Sequence, residues 1–210
     1  MLKNFVFNPL SVNTYLIFDE TKECVIIDAA CFSKKEETEL TNFISKNQLV
    51  PVKILNTHGH FDHLFGLNFV TKTYQIPSFL HKNDLEYLNS AQTYASMFGF
   101  SISQLLPPTN FFEENQIIRF GNSELKVLHT PGHSQGCVCF YFEKENSLFA
   151  GDTLFFNSVG RTDLPGGNFE QLKKSIQTKL FTLPENTTVY SGHGEKTFIE
   201  REKKFNSFLK

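Results

Sequence analysis

Thr57-His58-Gly59-His60-Phe61-Asp62-His63 puts four potential metal ligands within six residues, directly after the apolar run Val52-Lys53-Ile54-Leu55. That run reads as a buried strand. In an extended chain, residues two apart point the same way, so His58 and His60 can grip one ion together. Asp62 and His63 follow the small Gly59 and can turn toward a second position close by. The chain has only seven His, and three of them fall in this one stretch. A solvated polar loop gives no reason for such a concentration, and the stretch reads as a metal-binding loop at a strand end.

Three later residues share its setting, a strand end running into a Gly-rich loop. His133 lies in Thr130-Pro131-Gly132-His133-Ser134, Asp152 in Ala150-Gly151-Asp152-Thr153, and His193 between Gly192 and Gly194. Glycine beside a ligand is expected to let the backbone pass close to an ion without a Cβ clash. Each alone is weak; as a set with the first cluster they predict ligands converging on one edge of the sheets. Seven ligands suit two ions, because a catalytic zinc takes three protein ligands and keeps a fourth position for water.

Around these loops the sequence alternates strand and helix signals. Residues 3–7, 12–18 and 24–28 read as successive strands. Ser33 then opens a helix with Glu36 three residues on, a capping box, and that helix is expected to end at Asn47 and Pro51. Strand, helix, strand at 24–55 implies a parallel pairing. Leu64 to Tyr74 fits a helix, 78–80 a strand, and Asn83 is expected to cap a helix through Tyr87 and Leu88. The aromatic stretch 90–115 reads either as a helical flap on the core or as a lid carrying substrate contacts. Strands return at 116–120, 124–128, 137–142 and 148–150, with Gly121-Asn122 and Glu145-Asn146 as hairpin turns. Asn168 caps a helix to Leu180, and a last strand at 188–190 precedes a terminal helix. No linker or repeat divides the chain, so one domain over 1–210 is expected. Each half runs strands first and helix after, which suggests two sheets packed face to face with helices outside.

Composition narrows the partners. Lys plus Arg number 20 against 22 Asp plus Glu, a net charge of -2. That balance gives no electrostatic footprint for nucleic acid or an anionic membrane. No apolar run reaches the roughly 18 residues of a membrane span, and the N-terminus lacks the apolar core of a secretory signal. Cys24, Cys31, Cys137 and Cys139 lack paired zinc-knuckle spacing and read as reduced thiols of a cytoplasmic protein. His81 and His129 are assigned structural or surface roles.

The order Thr-His-x-His-x-Asp-His, Pro-Gly-His, Gly-Asp, Gly-His-Gly resembles the metallo-β-lactamase superfamily over residues 12 to 194. The resemblance implies an αββα sandwich, two mixed β-sheets flanked by helices. It implies that His58, His60 and His133 hold one divalent ion and that Asp62, His63 and His193 hold a second, with Asp152 bridging. Zinc is the first choice, and iron and manganese suit the same donors. Asp28 matches the strand-end Asp that supports the His loop in this family. Within the superfamily, Ser158-Val159-Gly160-Arg161-Thr162-Asp163 resembles the glyoxalase II branch, in its shorter bacterial type II form, because the chain stops at Lys210 without the further helical segment. By that likeness Arg161 binds a substrate carboxylate. The implied activity is hydrolysis of a small-molecule thioester, such as S-(2-hydroxyacyl)glutathione, by a metal-activated hydroxide, with Asp62 orienting the nucleophile. The alternative is a persulfide dioxygenase with one iron. A structural metal domain ranks third, and a nuclease is disfavoured by charge. Glutathione use, acyl group and oligomeric state are not assigned.

Overall fold

The computed structural model describes residues 1–210. Its chain forms two compact units, Met1–Phe111 with Arg119–Ser123, and Phe112–Ile118 with Glu124–Lys210.

The first unit opens with an antiparallel meander, β1 (Leu2–Phe7), β2 (Val12–Phe18) and β3 (Glu23–Ile27). Helix α1 (Lys34–Lys46) then crosses to β4 (Val50–Leu55), which pairs parallel with β3 as the strand–helix–strand pattern predicts. The capping box is present: Ser33 Oγ accepts from the Glu36 N–H, and Glu36 accepts from the Ser33 N–H. Such a cap contributes about 1 kcal/mol. Glu36 also accepts from the Asn8 N–H, so the helix start is tied to the turn after β1. Asn47 is the helix C-cap, as expected, but Pro51 does not end the helix; it lies inside β4, where the register with β3 shifts. A proline cannot donate to the ladder, which is why the pairing breaks there.

Helix α2 (Leu67–Tyr74), strand β5 (Ser78–Leu80), helix α3 (Leu85–Met97) and the two-residue strand β6 (Asn110–Phe111) complete this unit, β5 and β6 extending the sheet in parallel. Two expectations are corrected. A 3-10 turn over Phe61–Leu64 precedes α2, so the helical chain is interrupted just after Asp62 and His63. Asn83 does not cap α3; its N–H donates to His81 Nδ1 within a 3-10 turn, and Asp84 occupies the N-cap position. The stretch 90–115 packs on the core, as the flap reading expects, but only part of it is helical. It is helix to Met97 and then irregular as far as β6, with Leu105 buried and Phe100 and Ile102 packed on the core, while Met97 and Phe98 are exposed. The core of this unit joins Phe5, Phe7, Leu16 and Ile26 from the meander, Leu40 and Ile44 from α1, Ile54 from β4, and Leu64 and Leu67 beyond the His loop. Each such side chain, fully buried, stabilises by roughly 1.5–3 kcal/mol.

The second unit holds most of the other sheet, in the order β14 (Thr197–Phe198), β13 (Thr188–Ser191), β10 (Ser147–Gly151), β9 (Val138–Phe142), β8 (Ser123–His129), β7 (Ile117–Phe120). β10 and β13 pair parallel while β9–β10, β8–β9 and β13–β14 pair antiparallel, so this sheet is mixed like the first. A small hairpin of β11 (Leu154–Phe155) and β12 (Ser158–Val159), absent from the sequence reading, follows Asp152. Helix α4 (Phe169–Ser175) is capped by Asn168 Oδ1, which accepts from the Gln171 N–H, and passes into a π-helical turn over Ile176–Leu180. Leu172, Ile176 and Leu180 are all fully buried, as their shared face predicts. Helix α5 (Ile199–Phe205) closes the chain. No helix is long and apolar enough to cross a membrane, and all four cysteines are free and buried.

Candidate metal centre

In the first unit the His loop lies between the end of β4 and α2. Residues 56–58 follow the strand into the core, and His58 and His63 are completely buried. The rings of His58 and His60 sit 4.7 Å apart, and those of His58 and His63 4.2 Å apart. Asp62 Oδ2 lies 3.8 Å from His63 Nε2, too long for a hydrogen bond and suited to two donors facing a common point.

Asp28 organises this half. Its backbone is left-handed, φ 51°, and its side chain is 2 % exposed. Oδ1 accepts from the Thr57 N–H at 2.7 Å; Oδ2 accepts from Thr57 Oγ1 at 2.7 Å and faces His63 Nδ1 at 2.9 Å. A carboxylate only accepts, so Nδ1 of His63 carries the proton and Nε2 presents its lone pair. Thr57 Oγ1, with its proton given to Asp28, is left to accept from His58 Nδ1 at 3.0 Å. One buried carboxylate thus sets the orientation of two imidazoles, the arrangement that raises a histidine's basicity as a ligand.

In the second unit Asp152 stands between two histidines. Its Oδ2 lies 3.7 Å from His133 Nε2 and 3.6 Å from His193 Nε2. His133 Nδ1 donates to the main-chain carbonyl of Arg161 at 2.7 Å, which again fixes the proton on Nδ1 and leaves Nε2 for a ligand. That carbonyl is brought there by Gly160, where a Cβ would overlap the Asp152 carbonyl oxygen. The Arg161 side chain points to other work: Nε and Nη2 donate to Asp163 Oδ1 and Oδ2, each at 2.7 Å. That pair holds the Asp163 carboxyl down at about 2.

His58, His60, Asp62 and His63 cluster in the first unit, and His133, Asp152 and His193 in the second. Imidazole nitrogens with the opposite nitrogen already engaged, together with carboxylates, form a donor set that fits a divalent transition metal. The cluster can therefore bind metal ions. His81 and His129 stand apart from it in role, His81 turning the chain before α3 and His129 Nε2 facing the Gln135 carbonyl at 2.9 Å. Two of the glycines also serve packing. Gly59 makes room for α3, since a Cβ there would lie 2.7 Å from the Asp84 carbonyl oxygen and 2.9 Å from Tyr87 Cβ. Gly132 makes room for the backbone of Leu172 in α4. Helices approach these loops closely.

Sequence reasoning missed three contributors. Asp84 Oδ2 accepts from the Gly59 N–H at 2.9 Å, Tyr87 sets its ring on His60, and Asn8 Nδ2 donates to the Asp62 carbonyl at 3.0 Å. An Asp at a helix start reads as a cap, and an Asn before Pro as a turn, so neither pattern betrays a partner 25 or 54 residues away.

The family model described as Metallo-beta-lactamase superfamily matches residues 7–193. The chain belongs to the metallo-beta-lactamase superfamily. Its fold, two mixed sheets flanked by helices, is the superfamily's αββα arrangement. A probable metallo-hydrolase of Bacillus subtilis is 37% identical over 96% of this chain and 93% of its own. A hydroxyacylglutathione hydrolase of Haemophilus influenzae is 33% identical over 94% of this chain and 92% of its own. Among solved structures, a B3 metallo-beta-lactamase superposes with a TM-score of 0.91 at 37% identity, covering 100% of this chain and 99% of that one. A protein crystallised in a di-iron-bound form gives 0.89 at 35% identity, covering 99% and 100%.

Proposed function

We propose that this superfamily member is a dinuclear metal-dependent hydrolase that cleaves a thioester such as S-(2-hydroxyacyl)glutathione. The observation that carries the reading is the pair of held imidazoles, His63 on Asp28 and His133 on the Arg161 carbonyl, each presenting Nε2 beside a carboxylate. In this reading His58, His60 and His133 hold one ion, Asp62, His63 and His193 the other, and Asp152 serves both. Two divalent cations bound there, zinc first and iron or manganese next, would lower the pKa of a water toward roughly 7 and polarise a carbonyl oxygen.

The protein's own groups supply the rest. Asp62 orients the nucleophile through a hydrogen bond that its carboxylate accepts. Arg161 takes a carboxylate of the substrate as a bidentate pair, which requires that carboxylate to displace Asp163 from the same fork. The leaving group is a thiolate, which departs without a proton, so no separate acid is needed. The Haemophilus relative supports a hydroxyacyl thioester, and the structural likeness to a B3 lactamase makes a cyclic amide the substrate to test against.

Elemental analysis of protein purified without added metal, paired with panels of thioesters and β-lactams, tests the reading. Two metal equivalents and turnover confined to thioesters are expected. Full activity below one equivalent sinks the dinuclear site, and β-lactam turnover above thioester turnover sinks the substrate. Oxygen uptake with glutathione persulfide would replace hydrolysis by the one-iron dioxygenase. Asp62→Asn is expected to lower kcat more than it raises KM; unchanged kcat removes Asp62 from the chemistry.

A further inference from the structure

Helix α3 begins against the His loop, and its first turn is built in an unusual way. Asp84 holds the N-cap position, yet its side chain makes no capping hydrogen bond to its own helix. A capping Asp contributes about 1 kcal/mol to a helix start, so leaving that role needs another use for the carboxylate. The carboxylate is fully buried and accepts instead from the Gly59 N–H at 2.9 Å. Gly59 stands between His58 and His60 and carries no Cβ, which lets α3 come this close. One turn further on, the Tyr87 ring meets the His60 ring edge-on, with centroids 4.8 Å apart and planes at 89°.

From these contacts we infer that Asp84 and Tyr87 are positioning residues for His60: α3 fixes the loop backbone through Gly59 and the imidazole plane through the tyrosine ring. His63 and His58 are oriented by Asp28; His60 is oriented by a different element, through a backbone amide and a ring face. The inference rests on the reading of His60 as a metal ligand, and it concerns the ion shared by His58 and His60 alone. What Asp84 contributes is an acceptor in a fixed place. Asn in the same rotamer keeps an acceptor oxygen; Ala removes it and leaves a buried N–H without that partner.

Two measurements on the full chain decide it. In metal-free protein, the Gly59 amide of wild type is expected to exchange slowly with solvent and that of Asp84→Ala rapidly, with Asp84→Asn near wild type. Titration with cobalt(II), followed by its visible spectrum, is expected to show one of two sites weakened roughly 10- to 100-fold in Asp84→Ala, a smaller loss in Tyr87→Leu, and near-wild-type binding in Asp84→Asn. Unchanged Gly59 exchange in Asp84→Ala overturns the inference. So does equal weakening of both sites, or Asp84→Asn as weak as Asp84→Ala, which would make charge rather than placement the agent. Should Asp84→Ala not fold, Gly59→Ala takes its place, since its added Cβ pushes the loop off α3 with Asp84 intact; it is expected to weaken the same single site, and normal cobalt binding by it overturns the inference. Wild type that binds no cobalt rejects the metal reading of the site instead, and the Gly59 exchange data still decide the role of Asp84.

Discussion

The two units hold their candidate ligands by different means. In the first, buried side-chain carboxylates do the holding: Asp28 fixes His63 directly and His58 through Thr57, and Asp84 fixes the loop at Gly59. In the second, a main-chain carbonyl, that of Arg161, fixes His133, and it reaches its place because Gly160 packs against Asp152. A side-chain support can be removed by one substitution. A backbone support can be removed only by moving the chain. The two halves should therefore fail in different ways when mutated.

The largest effect is expected from Asp152→Ala, which takes away the carboxylate between His133 and His193. Bound metal should fall from two equivalents toward one or none, and turnover should fall beyond the roughly 10- to 100-fold that loss of an outer partner brings. Inductively coupled plasma analysis with steady-state rates checks this, and two retained equivalents would break the dinuclear assignment. Gly160→Ala should come close behind, through steric overlap alone. A chelator competition that finds its metal affinity equal to wild type would show that the Arg161 carbonyl is not what holds His133.

Asp28→Ala should weaken metal roughly 10- to 100-fold and also destabilise the apoprotein by about 1–3 kcal/mol, because the buried Thr57 N–H loses its acceptor. Asp28→Asn, which tolerates a left-handed backbone, should lose less stability. Urea melts of metal-free protein separate the two contributions. The comparison is sharpest at Arg161→Ala: metal affinity is expected to stay within about 3-fold, below the loss for any outer partner, while KM rises for thioesters bearing a carboxylate. If Arg161→Ala lost metal as Asp28→Ala does, the contrast between side-chain and backbone support would collapse.

The smallest effect lies at Asp19, which touches no ligand in these contacts and serves as a control. Burial pushes its carboxyl up, but hydrogen bonds from Thr21, Ser123 and Asn122 outweigh this and hold it below the usual value. A group lowered in the folded state stabilises above its unfolded value of about 4 and loses that contribution as pH falls further. Asp19→Asn should therefore lower the urea midpoint at pH 6 slightly and flatten its decline below pH 4, with metal content unchanged.

How much of this was legible follows from distance along the chain. The Ser33–Glu36 cap and the parallel β3–β4 pairing depend on neighbours or on one crossover, and both are present as read. The helix starts one residue later than the Asn83 pattern suggests, because His81, two residues back, accepts from Asn83's own N–H and holds Asn83 inside a 3-10 turn, which leaves Asp84 at the N-cap position. The β11–β12 hairpin escaped notice because strands of two residues leave no periodicity to count. Asp28 was named from its strand-end place, but its three acceptor contacts with Thr57 and His63 depend on a left-handed turn that no pattern records.

The amino-acid order alone determined the donor types, their Gly-bearing loops and the superfamily, because coordination chemistry demands particular side chains and those are written in the chain. Only the folded molecule decided which nitrogen of His58, His63 and His133 is engaged by the protein, what the glycines make room for, and that α3 stands behind His60. Those properties belong to hydrogen bonds made across dozens of residues, where an acceptor's identity matters less than the point in space to which packing brings it.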